Sequence, residues 1–237
     1  HVPLRPNPDD PQGSPAGDYG EVVEEIDANV GRLLRRLETL GLAQDTLVVF
    51  TSDNGPWFEG SSGPYRDRKG GAAWEGGYRV PFIAWRPGTI PPGTVSDALA
   101  SNLDLLPTLA AMAGVAAPSE GIDGADITEV LTRNAPSPHD QIILFDNLHV
   151  AAIRTPRWKY VVRSYYRTLD IPLDQHRYPL LFDLSLDPGE TYSLLSANKA
   201  VGEDMARRVA EARAAYEPFA QARPPAPAPD TAETWKD

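Results

Sequence analysis

TLVVFTSDNGPWFEGSSGPYRDRKGGAAWEGGYR, residues 46–79, is the stretch of this sequence that decides the fold. Its apolar run, residues 47–50, has the length and bulk of a β-strand that is buried on both faces. The run ends at Asp53-Asn54-Gly55, where a carboxylate and an amide oxygen stand side by side on a turn. An amphipathic helix pattern precedes the strand, and in α/β sheets ligands bind beyond the carboxyl ends of strands. We therefore predict an α/β fold with a ligand site at Asp53 and Asn54.

The rest of this segment combines oxygen donors with cationic side chains. The loop after Asp53 and Asn54 carries Arg66, Arg68 and Lys69. Together these groups can hold a divalent cation, Ca²⁺ or Mg²⁺, beside an oxyanion. Lys69 is the preferred candidate for proton chemistry, because an amine can lose its proton near a metal ion whereas a guanidinium stays charged.

Two plainer interpretations compete with a metal and anion site. Asp-Asn-Gly is a common turn sequence, and a charged loop is usually just solvated. Calcium takes about six to eight oxygen ligands, so Asp53 and Asn54 would need further carboxylates from elsewhere.

Composition excludes several functional classes. The 237 residues are 41% apolar and 23% charged, which suits an ordinary globular protein with one α/β domain and room for a small satellite. A net charge of −11 argues against nucleic acid or an anionic membrane as a general partner. The best membrane-span candidate, residues 103–117, is interrupted by Asp104 and Pro107, and the polar opening HVPLRP does not match a signal peptide. Cysteine is absent, which excludes disulfides, thiolate zinc sites and a thiol nucleophile from this sequence.

Hydrophobic periodicity predicts the order of the elements. A helix is expected from Asp18, as N-cap in a capping box with Glu21, to Gly41, and its apolar stripe should pack on a sheet. Residues 80–85 are predicted to be a second inner strand, and Asp104 is predicted to cap a helix that ends near Met112. Four short strands separated by turn residues then predict an antiparallel sheet, at residues 142–145, 150–154, 158–163 and 181–184. An amphipathic helix over 201–219 follows.

These elements divide the chain into three predicted parts. Residues 1–135 form part of a catalytic α/β domain, residues 136–222 a small antiparallel α+β subdomain, and residues 223–237 a disordered Pro/Ala-rich tail. His139, His149 and His176 fall in the small subdomain and are interpreted as surface or packing residues.

The whole series of blocks resembles the carboxyl-terminal half of a type I, formylglycine-dependent sulfatase, arylsulfatase-like, of the alkaline-phosphatase superfamily. The resemblance is carried by the order and spacing of short blocks more than by any one of them. The blocks are HVPL, DYGEVVEEIDANVGRLL, TLVVFTSDNGP, KGGAAWEGGYRVP, SNLDLLPTLAAMAG, RTPRWKY and LFDLSLDPGE. The resemblance implies an alkaline-phosphatase-like, mostly parallel sheet flanked by helices, incomplete in this chain, with a small C-terminal antiparallel sheet packed with a helix.

The resemblance also implies roles for individual residues. Asp53 and Asn54 would be two of the calcium ligands. His1 would contact the sulfate group and the leaving oxygen, and Lys69 would bridge the sulfate and the nucleophile. The segment from Glu75 to Pro81 would be a structural turn. One departure concerns Lys69, because four residues separate it from Trp74 where the family has three.

The implied reaction is calcium-dependent hydrolysis of a sulfate ester of a small molecule or glycan. In the family the nucleophile is a hydrated formylglycine made from a Cys/Ser-x-Pro/Ala-x-Arg motif near the amino terminus. We expect that motif and two further aspartate ligands to lie outside this sequence, so the chain alone should be inactive and its partner should be the missing amino-terminal half. The alternatives are a phosphatase or phosphonate hydrolase of the same superfamily, and a non-catalytic fragment or degenerate binding module.

Overall fold

The computed structural model of the chain describes residues 13–221 except 72, 119, 167 and 168. His1 and the predicted tail at 223–237 lie outside the described residues. The first part contains helix α1 (Gly17–Thr39), a 3₁₀ turn (Ala43–Asp45) and strand β1 (Val48–Thr51). Helix α2 (Glu75–Tyr78) and strand β2 (Phe82–Trp85) follow, and then a second 3₁₀ turn (Asn102–Asp104), α3 (Leu105–Met112) and α4 (Thr128–Arg133).

Helix α1 forms as predicted but begins differently. Its N-cap is Ala16, which makes no side-chain cap, so the prediction of Asp18 as N-cap in a capping box was wrong. Ser14, which precedes the helix, takes over the polar contacts: its backbone N donates to Glu21 Oε1 at 3.4 Å and its hydroxyl donates to Glu24 Oε1 at 2.7 Å. The Glu21 side chain therefore accepts its hydrogen bond from the backbone of Ser14.

Strands β1 and β2 form an antiparallel pair, with Val48 opposite Trp85 and Thr51 opposite Phe82. The prediction of two strands buried on both faces was wrong for this chain, since Ile83 is 60% exposed and Phe50 is also exposed. The apolar stripe of α1 is likewise uncovered, with Leu33 51% exposed. In the part of the chain that the structure describes, β1 pairs with β2 alone, so these apolar side chains have few neighbours to cover them.

The second part is built on a four-stranded antiparallel sheet of order β3-β4-β5-β8. Its strands are β3 (Ile142–Asp146), β4 (His149–Arg154), β5 (Trp158–Val161) and β8 (Leu180–Asp183). Two short strands, β6 (Ser164–Tyr166) and β7 (Leu169–Ile171), make a separate hairpin, and α5 (Lys199–Gln221) follows the sheet. The predicted antiparallel sheet and its helix are confirmed, whereas the β6–β7 hairpin was not predicted.

The sheet has a different partner on each face. One face packs against α5 through a core that includes Ile153, Leu181, Met205 and Val209. The other face packs against Ala73 and Trp74 through Ala152, Val161 and Phe182, and the Trp74 and Phe182 rings lie 6.0 Å apart. The loop that precedes α2 is therefore held on the sheet. No helix within the described ranges has the length and apolar character needed to cross a membrane.

Candidate active site

Two glycine turns cross at the end of β1. Gly55 N donates to Gly77 O at 2.9 Å, and Gly76 N donates to Arg66 O at 2.8 Å. A Cβ on Gly55 would lie 1.8 Å from Gly76 O, and one on Gly76 would lie 2.2 Å from Asp67 O. Only glycine allows the backbones to approach so closely. The Asp-Asn-Gly turn and the Glu-Gly-Gly turn are therefore parts of one structure.

Asp53 and Asn54 lie next to this crossing. The Asn54 amide donates a hydrogen bond to Asp53 Oδ1, so the two predicted ligands already face each other. The turn is anchored from both sides: Ser52 Oγ donates to Asn54 O at 3.0 Å, and Asn102 Nδ2 donates to Ser52 O at 2.9 Å. Asp53 is exposed and Asn54 is half-buried. The side-chain oxygens of Asp53 and Asn54 therefore lie together on a turn whose backbone is held by hydrogen bonds.

Asp53 and Asn54 are of the ligand type that calcium binds, but two ligands are fewer than the ion needs. A carboxylate and an amide oxygen are ligands that calcium prefers, and the ion takes about six to eight of them. Within residues 13–221, apart from the four positions not described, no group of three or more His, Asp or Glu side chains could hold a metal ion. Asp53 and Asn54 can therefore supply only part of a calcium site.

Lys69 is brought to the same place by its backbone. Its amide N donates to Pro56 O at 2.9 Å, which aligns residue 69 with the chain two residues after Asn54. The side chain is half-buried. This hydrogen bond holds the backbone of Lys69 beside the Asp-Asn-Gly turn. The role of the Lys69 side chain as the cation of the site stays a prediction.

The two arginines of this loop have other contacts. Arg66 stacks on the Trp74 ring with Cζ 3.7 Å from the ring centroid, and its Nη1 donates to Glu190 O at 3.0 Å. Arg68 lies over the Phe58 ring with Cζ 4.9 Å from its centroid. Arg66 therefore ties the loop to the C-terminal part of the chain rather than pointing at an anion.

A buried ion cluster, which was not predicted from the sequence, holds the Glu-Gly-Gly turn of the site against the C-terminal part of the chain. Lys159 Nζ lies 3.0 Å from Glu75 Oε1 and 2.8 Å from Glu190 Oε1, and all three side chains are buried. Glu190 Oε2 also accepts a hydrogen bond from Glu75 N at 2.7 Å, and Arg154 Nε lies 3.9 Å from Glu75 Oε2. Burial raises the pKa of Glu190, while the Lys159 ammonium opposes that rise. Two carboxylates and two cations balance in charge at this point.

A sequence signal for this cluster was present. Lys159 stands in the strand-like run Trp158-Lys159-Tyr160-Val161, where alternation puts it on the same face as Val161. A lysine on a core-facing strand position needs a buried carboxylate partner. The partners could not be identified, because Glu75 is 84 residues away in the sequence.

The expectation that the nucleophile motif lies outside this sequence needs a correction, because one segment matches the motif in residue type. Residues 62–66, Ser-Gly-Pro-Tyr-Arg, match Cys/Ser-x-Pro/Ala-x-Arg, although we expected this motif to lie outside the sequence. In the structure these residues form a turn in which Ser62 Oγ donates to Tyr65 O at 2.9 Å. Arg66 stacks on Trp74. The Ser62 and Arg66 side chains of this match therefore make contacts that stabilise the loop.

Two histidines assigned to the surface or to packing have acidic partners. His139 Nε2 lies 2.8 Å from Oδ1 of the fully buried Asp104, and His149 Nδ1 lies 3.9 Å from Glu217 Oε1. Asp104 also accepts hydrogen bonds from Ser101 N at 2.7 Å and Ala125 N at 2.8 Å. Its carboxylate therefore joins three separate loops. Asp104 is the N-cap residue of α3, as predicted, but its side chain makes no capping hydrogen bond to that helix.

Comparison with known proteins places the chain among sulfatases. A sulfatase family model matches residues 5–115, and the model for the C-terminal part of N-sulphoglucosamine sulphohydrolase matches residues 67–215. Arylsulfatase A from Homo sapiens is 40% identical over 200 residues, which cover 76% of this chain and 39% of that protein. Steryl-sulfatase from Mus musculus is 36% identical over 73% of this chain and 33% of its own length. The chain thus spans less than half the length of these relatives.

Solved structures show the same likeness in three dimensions. A Bacteroides thetaiotaomicron protein connected with the metabolism of multiple glycosaminoglycans matches with a TM-score of 0.76 and 27% identity, over 90% of this chain and 48% of that one. A sulfatase from Pseudoalteromonas sp. matches with a TM-score of 0.75 and 27% identity, over 86% of this chain and 44% of that one. The predicted fold class, an incomplete alkaline-phosphatase-like α/β fold with a C-terminal antiparallel sheet, is confirmed. The mostly parallel arrangement expected for its main sheet is not seen among the described residues, where all the strand pairs are antiparallel.

Proposed function

Because this chain belongs to the sulfatase family, we propose that it is the carboxyl-terminal part of a calcium-dependent sulfate ester hydrolase. The observation that carries the proposal is the crossing of the two glycine turns. Beside this crossing, a separate hydrogen bond from Lys69 N to Pro56 O, at 2.9 Å, holds the backbone of residue 69 close to the turn that carries Asp53 and Asn54.

Each residue of this arrangement has a proposed task. Asp53 and Asn54 would supply two oxygen ligands to the metal ion. When bound, calcium supplies positive charge that stabilises the developing charge on the sulfate oxygens. Lys69 binds a sulfate oxygen, and one proton, from either His1 or Lys69, goes to the departing alcohol oxygen. Preorganised charge of this kind is usually the largest contribution to lowering such a barrier.

The remaining parts of the site are proposed to come from outside this sequence. These are a formylglycine nucleophile and the other calcium ligands. The uncovered apolar surface of α1, β1, β2 and α3 supports such a partner, since exposed patches of this kind mark contact surfaces. Its exposed members include Ile26, Leu33, Phe50, Ile83, Leu106 and Leu109. We propose that this surface packs against the amino-terminal half of the same enzyme.

The relatives support a proposal for the substrate class. Those named above are an arylsulfatase and a steryl-sulfatase, and one solved structure holds its substrate, D-glucosamine-2-N,6-O-disulfate, at 26% identity to this chain. We propose a sulfate ester of an organic alcohol for this chain as well.

Calorimetry on the 237-residue chain tests the proposal. We expect calcium chloride to bind weakly, because two donors are too few for a tight site, and Asp53→Ala to abolish that binding. The matched control is Asp45→Ala, an exposed aspartate at the other end of β1, which should bind calcium as the wild type does. In calcium-containing buffer, sodium sulfate should bind with a dependence on Lys69, tested with Lys69→Met. Equal calcium binding by wild type and Asp53→Ala would refute the metal assignment.

Two further measurements separate the alternatives. The chain alone should not hydrolyse an aryl sulfate, and calcium-dependent turnover by the purified chain would contradict the proposed need for an amino-terminal half. Inorganic phosphate that binds more tightly than sulfate would favour the phosphatase alternative.

A further inference from the structure

The Asn102 side chain reaches from the second 3₁₀ turn to the end of β1. Its Nδ2 donates to Ser52 O at 2.9 Å, and its Oδ1 accepts from Thr51 Oγ1 at 3.3 Å. Ser52 directly precedes Asp53. Because an asparagine amide carries both a donor and an acceptor, one side chain can hold two consecutive residues of the strand end. The contact therefore fixes the backbone just before the first proposed metal ligand.

The proposed ligands Asp53 and Asn54 have a second anchor on their other side. Gly55 follows them, and its amide donates to Gly77 O at 2.9 Å in the glycine crossing. The two ligand residues thus stand between two fixed points of the backbone. In the part of the chain that the structure describes, β1 pairs with β2 alone. Among these residues, no strand on the other edge of β1 can hold this end in place of Asn102.

The turn that carries Asn102 is itself held by a capping box. Asp104 accepts a hydrogen bond from Ser101 N at 2.7 Å, and Ser101 Oγ accepts one from Leu103 N at 3.3 Å. Reciprocal bonds of this kind satisfy backbone donors at the start of a helical turn. Asp104 is fully buried and also accepts a hydrogen bond from Ala125 N at 2.8 Å. Asn102 therefore projects from a fixed support.

The segment that joins α4 to β3 contacts this region at two points. His139 Nε2 lies 2.8 Å from Asp104 Oδ1, and Ser137 Oγ donates to Leu99 O at 2.5 Å. The C-terminal sheet begins with β3, directly after this segment. A series of hydrogen bonds therefore connects the start of that sheet to Asp104, and the turn of Asp104 and Asn102 to the end of β1.

We propose that Asn102 is a positioning residue for the metal ligands Asp53 and Asn54, and that Asp104 and His139 extend this support to the C-terminal part of the chain. The inference rests on the proposed function for the identity of Asp53 and Asn54 as metal ligands. Groups that orient metal ligands contribute to metal affinity although they do not touch the ion. The anchoring of the turn needs no metal, so it is tested separately.

Binding of terbium to the full chain tests the positioning of the ligands. Tb³⁺ takes oxygen ligands as calcium does, and Trp57, three positions after Asn54, can transfer excitation to it. Asn102→Leu keeps a side chain of similar size but removes both hydrogen bonds. We expect about fivefold weaker terbium binding, the change that a hydrogen bond of ordinary net strength supplies. Asp53→Ala should abolish the luminescence, which assigns the signal to this site.

Two variants separate positioning from general stability. Asn29→Leu, at an exposed asparagine that contacts Arg32 within α1, is the matched control for the substitution and should bind terbium as the wild type does. Arg157→Gln should destabilise the protein through the loss of its contact with Asp183 and should also bind terbium normally. Equal losses of affinity in Arg157→Gln and Asn102→Leu would overturn the positioning role.

Hydrogen exchange without metal tests the anchor itself. The Gly55 amide should exchange about fivefold faster in Asn102→Leu, because the turn opens more often when one anchor is lost. Thr51→Val removes only one of the two hydrogen bonds and should have a smaller effect. Adding it to Asn102→Leu should change nothing further, since both substitutions break the same contact. His139→Leu should also speed exchange by a smaller factor, and no effect there would overturn the extension through Asp104.

The remaining outcomes are distinct. Wild-type terbium affinity together with wild-type exchange in Asn102→Leu would overturn the inference. Faster exchange with unchanged terbium affinity would also overturn it, because the anchor would then not position the ligands. If the wild-type chain bound no terbium, faster exchange in Asn102→Leu would still support the anchor, and the proposed metal site would be refuted.

Discussion

Lys159 Nζ lies 3.0 Å from Glu75 Oε1, with both side chains buried, although the two residues are 84 positions apart in the sequence. The pair joins strand β5 of the C-terminal sheet to the turn that carries Gly76 and Gly77. Those glycines hold the Asp-Asn-Gly turn through Gly77 O. The C-terminal sheet is therefore a support for the candidate site as well as a separate layer.

Replacing Lys159 should destabilise the protein strongly. Lys159→Met would leave Glu75 and Glu190 buried without their ammonium partner, and breaking a buried ion pair costs about 3–5 kcal/mol. Urea unfolding followed by tryptophan fluorescence measures the change. Lys199→Met, at an exposed lysine that begins α5, is the control and should unfold like the wild type.

A second variant separates charge from packing in this cluster. Adding Glu190→Gln to Lys159→Met removes one of the two carboxylates that lost the Lys159 ammonium and should recover part of the lost stability. If Lys159→Met unfolded at the same urea concentration as the control, the cluster would carry no net stabilisation.

The glycine crossing should not tolerate a side chain. In Gly76→Ala the new Cβ would meet Asp67 O at 2.2 Å and Arg66 O at 2.5 Å, so the backbone must shift. Overpacking of this kind costs about 1–3 kcal/mol, and calcium binding at Asp53 and Asn54 should weaken as the turns move apart.

Gly31→Ala is the matched control for this change. Gly31 lies inside α1, where an added Cβ meets only the end of the Arg35 side chain at 3.3 Å. Alanine there should be neutral or stabilising by up to about 1 kcal/mol. Wild-type calcium binding by Gly76→Ala would show that the crossing does not position the ligands.

Asp183 should make stability depend on acid pH. Hydrogen bonds from Arg157, at 2.9 Å from Nε and 2.7 Å from Nη2, lower the pKa of this carboxyl below its usual 3.8. A group whose pKa is lower in the folded state stabilises the fold above its unfolded-state pKa, and the stabilisation is lost as pH falls through the folded-state value. Arg157→Gln should therefore lower the urea midpoint near neutral pH.

The difference between Arg157→Gln and the wild type should shrink as the pH falls below 3.8. Arg133→Gln, which removes an exposed ion pair with Glu129 on α4, is the control and should show little effect at any pH. A difference that stayed constant from about pH 6 to about pH 2 would exclude Asp183 as its source.

Removing the Asp104 carboxylate should loosen three loops together. In Asp104→Ala the partly buried amides of Ser101 and Ala125 lose their acceptor. A fully buried donor left unsatisfied costs about 1–3 kcal/mol, so each of these amides should cost less than that. His139→Gln removes only one of the contacts and should cost less. Hydrogen exchange at these two amides measures the effect, with exposed Asp97→Ala as control; unchanged exchange in Asp104→Ala would refute the role.

Local pattern was enough to predict most elements of the fold. The strands at 142–145, 150–154 and 181–184 and the helix from Gly17 were predictable because periodicity and turn residues act over a few neighbouring positions. The candidate site at Asp53 and Asn54 was also visible locally, since a polar turn directly follows an apolar run. The uncovered faces of β1 and α1 were not, because exposure depends on which partners are present.

The sequence by itself determined the family, the order of the elements and the residue types at the candidate site, since these reside in short blocks and their spacing. Only the tertiary structure decided that β1 pairs antiparallel with β2, that Lys159 faces Glu75 and Glu190, and that Gly55 and Gly76 form a crossing. These contacts join residues that are 21 to 84 positions apart. A charge needs a partner only where it is buried, and a position needs glycine only where another backbone comes too close for a side chain. Both conditions depend on the assembled fold.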